Sequence, residues 1–207
     1  MILRCLSTGM FDSNTYILGD NGEGAVIDAG ASADEICSAI GELNLTIKYI
    51  ILTHGHIDHI CSTDELRDAT GAEVLIHEDD AIFLSKPEYN LSSLVGRVKP
   101  FKSADVLLKD TDILKLGNLD LKIIHTPGHT PGSICVKSGN IIFTGDTLFK
   151  MSIGRVDLPK GSYTGIMDSL NGRLMRLDDD TAVYPGHGED TTIGFERKFN
   201  PYVRQGP

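Results

Sequence analysis

Apolar residues fall along this chain in short runs, set between turns of glycine, proline and small polar residues. Runs at residues 2–7, 15–18 and 25–28 read as strands. A helical pattern follows at 32–43, opened by Ser32 with Glu35 three positions later, the signature of a capping box. Next come a strand at 48–52, a helix at 60–69 and a strand at 73–77. The second half gives strands near 107–108, 113–115, 120–125, 134–137 and 140–143, a helix at 162–177 and a short strand at 181–184. Strands first and a helix after, twice over, predict an α/β sandwich with helices on both outer faces. Residues 86–105 have weak periodicity and two prolines, and read as a loop or short-helix insertion. Asp110-Thr111-Asp112 reads as a hairpin turn.

The 207 residues suit one domain, 1–207. No apolar stretch reaches the length of a membrane span, and the first residues lack the pattern of an export signal, so the cytoplasm is expected. Cys5, Cys37, Cys61 and Cys135 are widely spaced and expected reduced. The net charge of −10 opposes a nucleic-acid partner, and a small-molecule substrate is expected. The clearest basic cluster is Arg97, Lys99 and Lys102.

The chemistry starts at Thr53-His54-Gly55-His56-Ile57-Asp58-His59, directly after the apolar run Tyr49-Ile50-Ile51-Leu52. If the chain stays extended there, His54, His56 and Asp58 share one side. Three further candidates each follow a short apolar run in a Gly- or Pro-flanked turn: His129 in Pro127-Gly128-His129-Thr130-Pro131-Gly132, Asp146 in Thr144-Gly145-Asp146-Thr147, and His187 in Tyr184-Pro185-Gly186-His187-Gly188. Imidazole and carboxylate donors suit zinc, iron or manganese. Asp28 ends a strand and is a candidate to orient a ligating histidine. Lys150 and Arg155, the cations nearest Asp146 in sequence, are candidates to hold a substrate carboxylate. His77 and His125 read as strand-end residues.

These motifs together resemble the metallo-β-lactamase superfamily, and within it the compact glyoxalase II-like hydrolases, which carry a stretch similar to Ser152-Ile153-Gly154-Arg155-Val156-Asp157-Leu158-Pro159. The resemblance implies a four-layer αββα fold and two divalent metal ions, zinc first. It implies that His54, His56 and His129 bind one metal, that Asp58, His59 and His187 bind the other, and that Asp146 bridges them. A metal-bridging hydroxide would then hydrolyse thioesters such as S-hydroxyacyl thiols, with Asp58 also accepting a proton. Hydrolysis of another ester or lactone fits the same site.

One departure concerns the carrier. Glyoxalase II chains have an added C-terminal helical domain with cations for glutathione, whereas this sequence runs only twenty residues past His187. The second reading is a mononuclear iron persulfide dioxygenase, which has a similar Gly154-Arg155-x-Asp157 stretch but Cys where this chain has Ile153. A β-lactamase is less expected, because Asp146 between the second and third histidine motifs marks the hydrolase and nuclease branches.

Overall fold

The computed structural model describes residues 1–96 and 100–203. The first half of the chain forms β1 (Ile2–Leu6), β2 (Thr15–Asp20), β3 (Glu23–Ile27), β4 (Thr46–Ile51), β5 (Glu73–His77) and β6 (Val106–Leu108), one sheet in that order. The second half supplies β7 (Ile113–Leu116), β8 (Leu119–His125), β9 (Ile134–Ser138) and β10 (Ile141–Gly145), a small hairpin of β11 (Leu148–Phe149) and β12 (Ser152–Ile153), then β13 (Ala182–Pro185) and β14 (Thr191–Thr192). The second sheet has the order β14-β13-β10-β9-β8-β7.

Alternation along the strands builds three apolar layers. Tyr16, Leu18, Ile27, Tyr49 and Ile51 point inward and meet Leu121, Ile123, Val136 and Phe143 between the sheets. The opposite face of the first sheet, including Ile17, Val26, Ile50 and Val74, packs on Ile36 and Ile40 of α1 (Ala33–Leu43) and on Leu66. The outer face of the second sheet, including Ile142 and Val183, packs on Leu170 and on Ile193. The result is the four-layer αββα sandwich. It explains why β4 reads as an unbroken apolar run: Ile50 and Ile51 face different cores and both are fully buried.

The predicted capping box is formed, with Glu35 N donating to Ser32 Oγ and Ser32 N donating to Glu35 Oε2. Three readings need correction. The segment after β4 bends at once, and Ile57 to Ile60 form a one-turn helix, α2, followed by α3 (Thr63–Thr70). Asp58 therefore lies on a helix turn with His59, and does not continue an extended period-two series from His54 and His56. The expected helix 162–177 is α4 (Tyr163–Gly172) and a 3-10 turn, Leu174–Arg176, broken at Arg173, whose backbone leaves the helical region (φ −121°) directly after Gly172. Asp110-Thr111-Asp112 does not close a hairpin, because β6 and β7 belong to different sheets; it carries the chain from one to the other. A final helix, α5 (Ile193–Phe199), has no counterpart in the sequence reading.

No disulfide joins the four cysteines. Among the described residues no helix is long and apolar enough to cross a membrane. Of the basic cluster, Lys102 pairs with Asp68, while Arg97 and Lys99 lie outside the described residues.

Strand direction places the site. β3, β4, β5 and β6 run parallel, β10 and β13 run parallel, and β8 and β10 are both antiparallel to β9. The segments leaving the C-terminal ends of β3, β4, β5, β8, β10 and β13 carry Asp28, His54 to His59, Asp80, His129, Asp146 and His187 in turn.

Candidate metal centre

All seven side chains picked out as ligands converge at that edge. His54, His56 and His129 have ligand atoms within 4.8 Å of one another, and so do Asp58, His59 and His187. Asp146 stands between the two sets. Its Oδ1 is 3.4 Å from His59 Nε2, and its Oδ2 is 3.5 Å from His129 Nε2 and 3.8 Å from His187 Nε2. His56 Nδ1 lies 2.8 Å from His129 Nε2, and His187 Nε2 lies 3.1 Å from Asp58 Oδ2.

The hydrogen bonds behind the rings assign their protons. Thr53 Oγ1 donates to Asp28 Oδ2 and therefore accepts from His54 Nδ1. His59 Nδ1 donates to Asp28 Oδ2, His129 Nδ1 to the Arg155 carbonyl and His187 Nδ1 to the Phe11 carbonyl. In these four rings Nδ1 is engaged from behind and Nε2 faces the centre, where it is free to ligate once the ring is neutral. His56 differs and turns Nδ1 inward. Asp28 thus has the orienting position proposed for it, held at the end of β3 in a left-handed conformation (φ 58°).

Charge and burial work against each other here. Burial, then the neighbouring imidazoles, hold His54 well below the usual histidine value, and His56 likewise. Burial opposes protonation of His59 too, but the carboxylates of Asp146, Asp58 and Asp28 outweigh it and push the imidazole up to about 10. Burial would raise Asp58, yet His59 and His187 beside it hold its carboxyl well below the usual carboxylate range.

Do these residues suit a metal? His54 Nε2 and Asp146 Oδ1 are buried and have no hydrogen-bond partner. Leaving such atoms unpaired costs roughly 1–3 kcal/mol each, and cations bound at the two donor sets would remove that cost. Imidazole nitrogens facing carboxylate oxygens are a divalent-metal donor set, and a cation takes the place of the proton held between them. Backbone shape adds a constraint. A Cβ on Gly186 would lie 2.2 Å from Asp146 Oδ1 and 2.8 Å from His59 Cε1, so only glycine lets the His187 turn close on the centre.

The cations proposed for substrate are otherwise engaged. Lys150 Nζ donates to Glu189 Oε2 at 2.6 Å and is absent from the cleft wall. Arg155 borders the cleft, but its Nε and Nη2 donate to Asp157 at 2.7 and 2.6 Å. His77 and His125 stack on each other away from the seven, 3.9 Å apart and nearly parallel. Cys61 Sγ points to the Gly30 carbonyl.

Sequence reasoning missed the 3-10 turn Met10–Asp12, where Phe11 in a left-handed conformation offers its carbonyl to His187. No motif marks it. The insertion at 86–105 does reach the site, because Leu91, Leu94 and Val95 form one wall of a cleft of about 520 Å³ whose floor is His56, Asp58, His129, Asp146 and His187.

Two stacked sheets with a His/Asp centre at one edge define a metallo-hydrolase. The chain belongs to the metallo-β-lactamase superfamily, whose profile matches residues 8–187. It is 34% identical to the hydroxyacylglutathione hydrolase GloC of Haemophilus influenzae, over 98% of each chain. Its fold is similar to that of BLEG-1, described as a B3 metallo-β-lactamase, with a TM-score of 0.93 and 35% identity over 99% of this chain and 100% of that one. It is also similar to TTHA1623, solved in a di-iron-bound form, with a TM-score of 0.84 and 28% identity over 97% of this chain and 100% of the other.

Proposed function

We propose that this protein is a two-metal hydrolase of thioesters, of the S-hydroxyacyl thiol type. The observation that carries the reading is Asp146, set between two three-residue donor sets with one oxygen toward His59 and the other toward His129 and His187. His54, His56 and His129 would hold one cation, Asp58, His59 and His187 the second, and Asp146 both. We take zinc as the metal; the donors accept iron and manganese too.

When bound, such a cation pair supplies water activated at neutral pH and polarises a carbonyl. The chain's own residues do the rest. Asp28, Thr53 and the carbonyls of Arg155 and Phe11 fix the rings from behind, so little reorganisation is left for the reaction. Asp58 borders the cleft and stays ionised, and its carboxylate can orient the attacking water by accepting a hydrogen bond from it. The wall facing the donors is Phe11, Leu91, Leu94, Val95 and Phe149. It is apolar and offers no acid to a leaving group. A thiolate leaves without one, which favours thioesters over amides. The size of the cleft suits a small molecule, and GloC, of nearly equal length, bears the name of a hydroxyacylglutathione hydrolase.

The test combines elemental analysis of protein purified without chelator with assays on S-lactoylglutathione, a neutral acyl thioester, a β-lactam and a persulfide. We expect two metal equivalents and thioester turnover well above the others. One equivalent of iron with oxygen uptake on the persulfide would overturn the reading in favour of a dioxygenase. Preference for the β-lactam would move it toward the activity named for BLEG-1.

A further inference from the structure

Asp80 belongs to neither donor set, yet it touches the segments that carry three of the seven ligands. It sits in the 3-10 segment Glu78–Ser85 directly after β5 and is fully buried. Its Oδ2 accepts from Gly55 N at 2.9 Å and from Thr130 Oγ1 at 2.7 Å. Its Oδ1 accepts from Gly132 N at 2.7 Å. Gly55 lies between His54 and His56, and Thr130 follows His129. The carboxylate therefore ties the loop after β4 to the loop after β8 from a third strand. The approach is tight: a Cβ on Gly132 would fall 2.5 Å from Asp80 N and 2.7 Å from Asp80 Cβ.

We propose that Asp80 is a positioning residue that sets the spacing between the His54–His56 loop and the His129 turn, and through it the metal affinity of that donor set. The proposal rests on the ligand assignment under Proposed function. Its physical basis is direct. Three donors converge on one buried carboxylate, and charge-assisted hydrogen bonds of this kind are short and strong. Metal affinity depends on donor atoms being held within roughly 0.5 Å of their bound positions. No other charged side chain makes a described hydrogen bond to both loops. An asparagine here has one oxygen and one NH2, so at least one loop would face a donor where it needs an acceptor.

The test uses the His187→Ala background, where the His54, His56 and His129 set alone is complete, and the full seven-ligand protein. Cobalt(II) is titrated into each, read by its visible absorption and by competition with a chelator. Asp80→Asn should weaken cobalt binding in the His187→Ala background by about 10–100-fold, the range for a lost outer hydrogen-bond partner of a ligand. In the full protein it should weaken one equivalent and leave the other unchanged. Thr130→Val removes one of the three donors and should act in the same direction but less, and Thr130→Ser should restore wild-type affinity. This pair keeps the test alive if Asp80→Asn does not fold. A merely structural Asp80 would lower the melting temperature and leave both affinities as they were, or weaken both alike; either result overturns the proposal. Failure of the unsubstituted protein to bind two equivalents would instead sink the ligand assignment, before any variant is compared.

Discussion

Asp28 Oδ2 lies 2.8 Å from His59 Nδ1, and the same carboxylate takes the amide and the hydroxyl of Thr53 at 2.7 Å each. Through Thr53, which contacts His54 Nδ1, one buried aspartate governs the orientation of a histidine in each donor set. Asp28→Asn should therefore weaken both metal equivalents, the one held by His59 most, by about 10–100-fold. Chelator competition measures it. An asparagine variant that retains both metals like the wild type would remove Asp28 from the centre's design.

The charge on His59 gives a pH dependence with a definite sign. In the metal-free fold its value is about 10, against an ordinary 6.5. Between those values the folded chain holds a proton that the unfolded chain has released. The resulting stabilisation is complete below about 6.5 and is lost as pH rises toward about 10. The melting temperature of chelator-treated protein should fall across that window. Metal-loaded protein should lack this fall, since a ligating imidazole has already given up its proton. A metal-free protein that gains stability over the same range would contradict the assignment.

Gly186→Ala should cost one metal equivalent, because the added methyl meets Asp146 Oδ1 and His59 Cε1. Overpacking of this kind costs typically 1–3 kcal/mol, roughly, when the surroundings give way. Here what gives way is the placement of Asp146 and His59. Metal content and activity should fall together, more steeply than thermal stability. Full metal content in the variant would mean that the turn can retreat without harm.

Leu94 is 78% exposed at the mouth of the cleft, so trimming it should not trouble the fold. Covering one methylene gains about 0.8 kcal/mol, or roughly fourfold in kcat/KM. Neutral thioesters should therefore improve as the acyl chain lengthens toward Leu94. Leu94→Ala should reduce that gain and leave the acetyl compound unchanged. A flat response to chain length in both proteins would show that this wall does not meet the acyl group.

The candidate ligands were legible in the sequence because His54, His56, His129, Asp146 and His187 each follow a short apolar run and sit beside glycine, while the four-layer sandwich and the division into two ligand sets came from the resemblance to the superfamily. That arrangement records a buried strand ending in a tight turn, and local pattern carries it. The residues behind the ligands were not legible. Asp80 looks like any acid in Glu78-Asp79-Asp80, and Phe11 acts through its carbonyl, which side-chain identity does not encode. Only Asp28 could be singled out, by its place at a strand end. The helical turn at Asp58 was missed because four residues are too few to show a period. The crossover at Thr111 was missed because turn residues do not say which sheet comes next.

Arg155 shows the same division between side chain and backbone. The sequence made it a candidate to grip a substrate carboxylate. In the structure its guanidinium forms a two-pronged pair with Asp157, both side chains more than half exposed. Its carbonyl, by contrast, accepts from His129 Nδ1 at 2.7 Å and so fixes a ligand. Backbone geometry supports that contact, since a Cβ on the preceding Gly154 would lie 3.2 Å from His129 Nδ1 and would collide with the Asp146 carbonyl. Arg155→Ala keeps the carbonyl and loses only an exposed ion pair, of a kind that contributes little. It should bind both metals, melt near the wild-type temperature and leave KM for acidic and neutral thioesters unchanged. Gly154→Ala, one residue earlier, should lose metal and activity together. A raised KM confined to acidic substrates in Arg155→Ala would instead return the guanidinium to the substrate site.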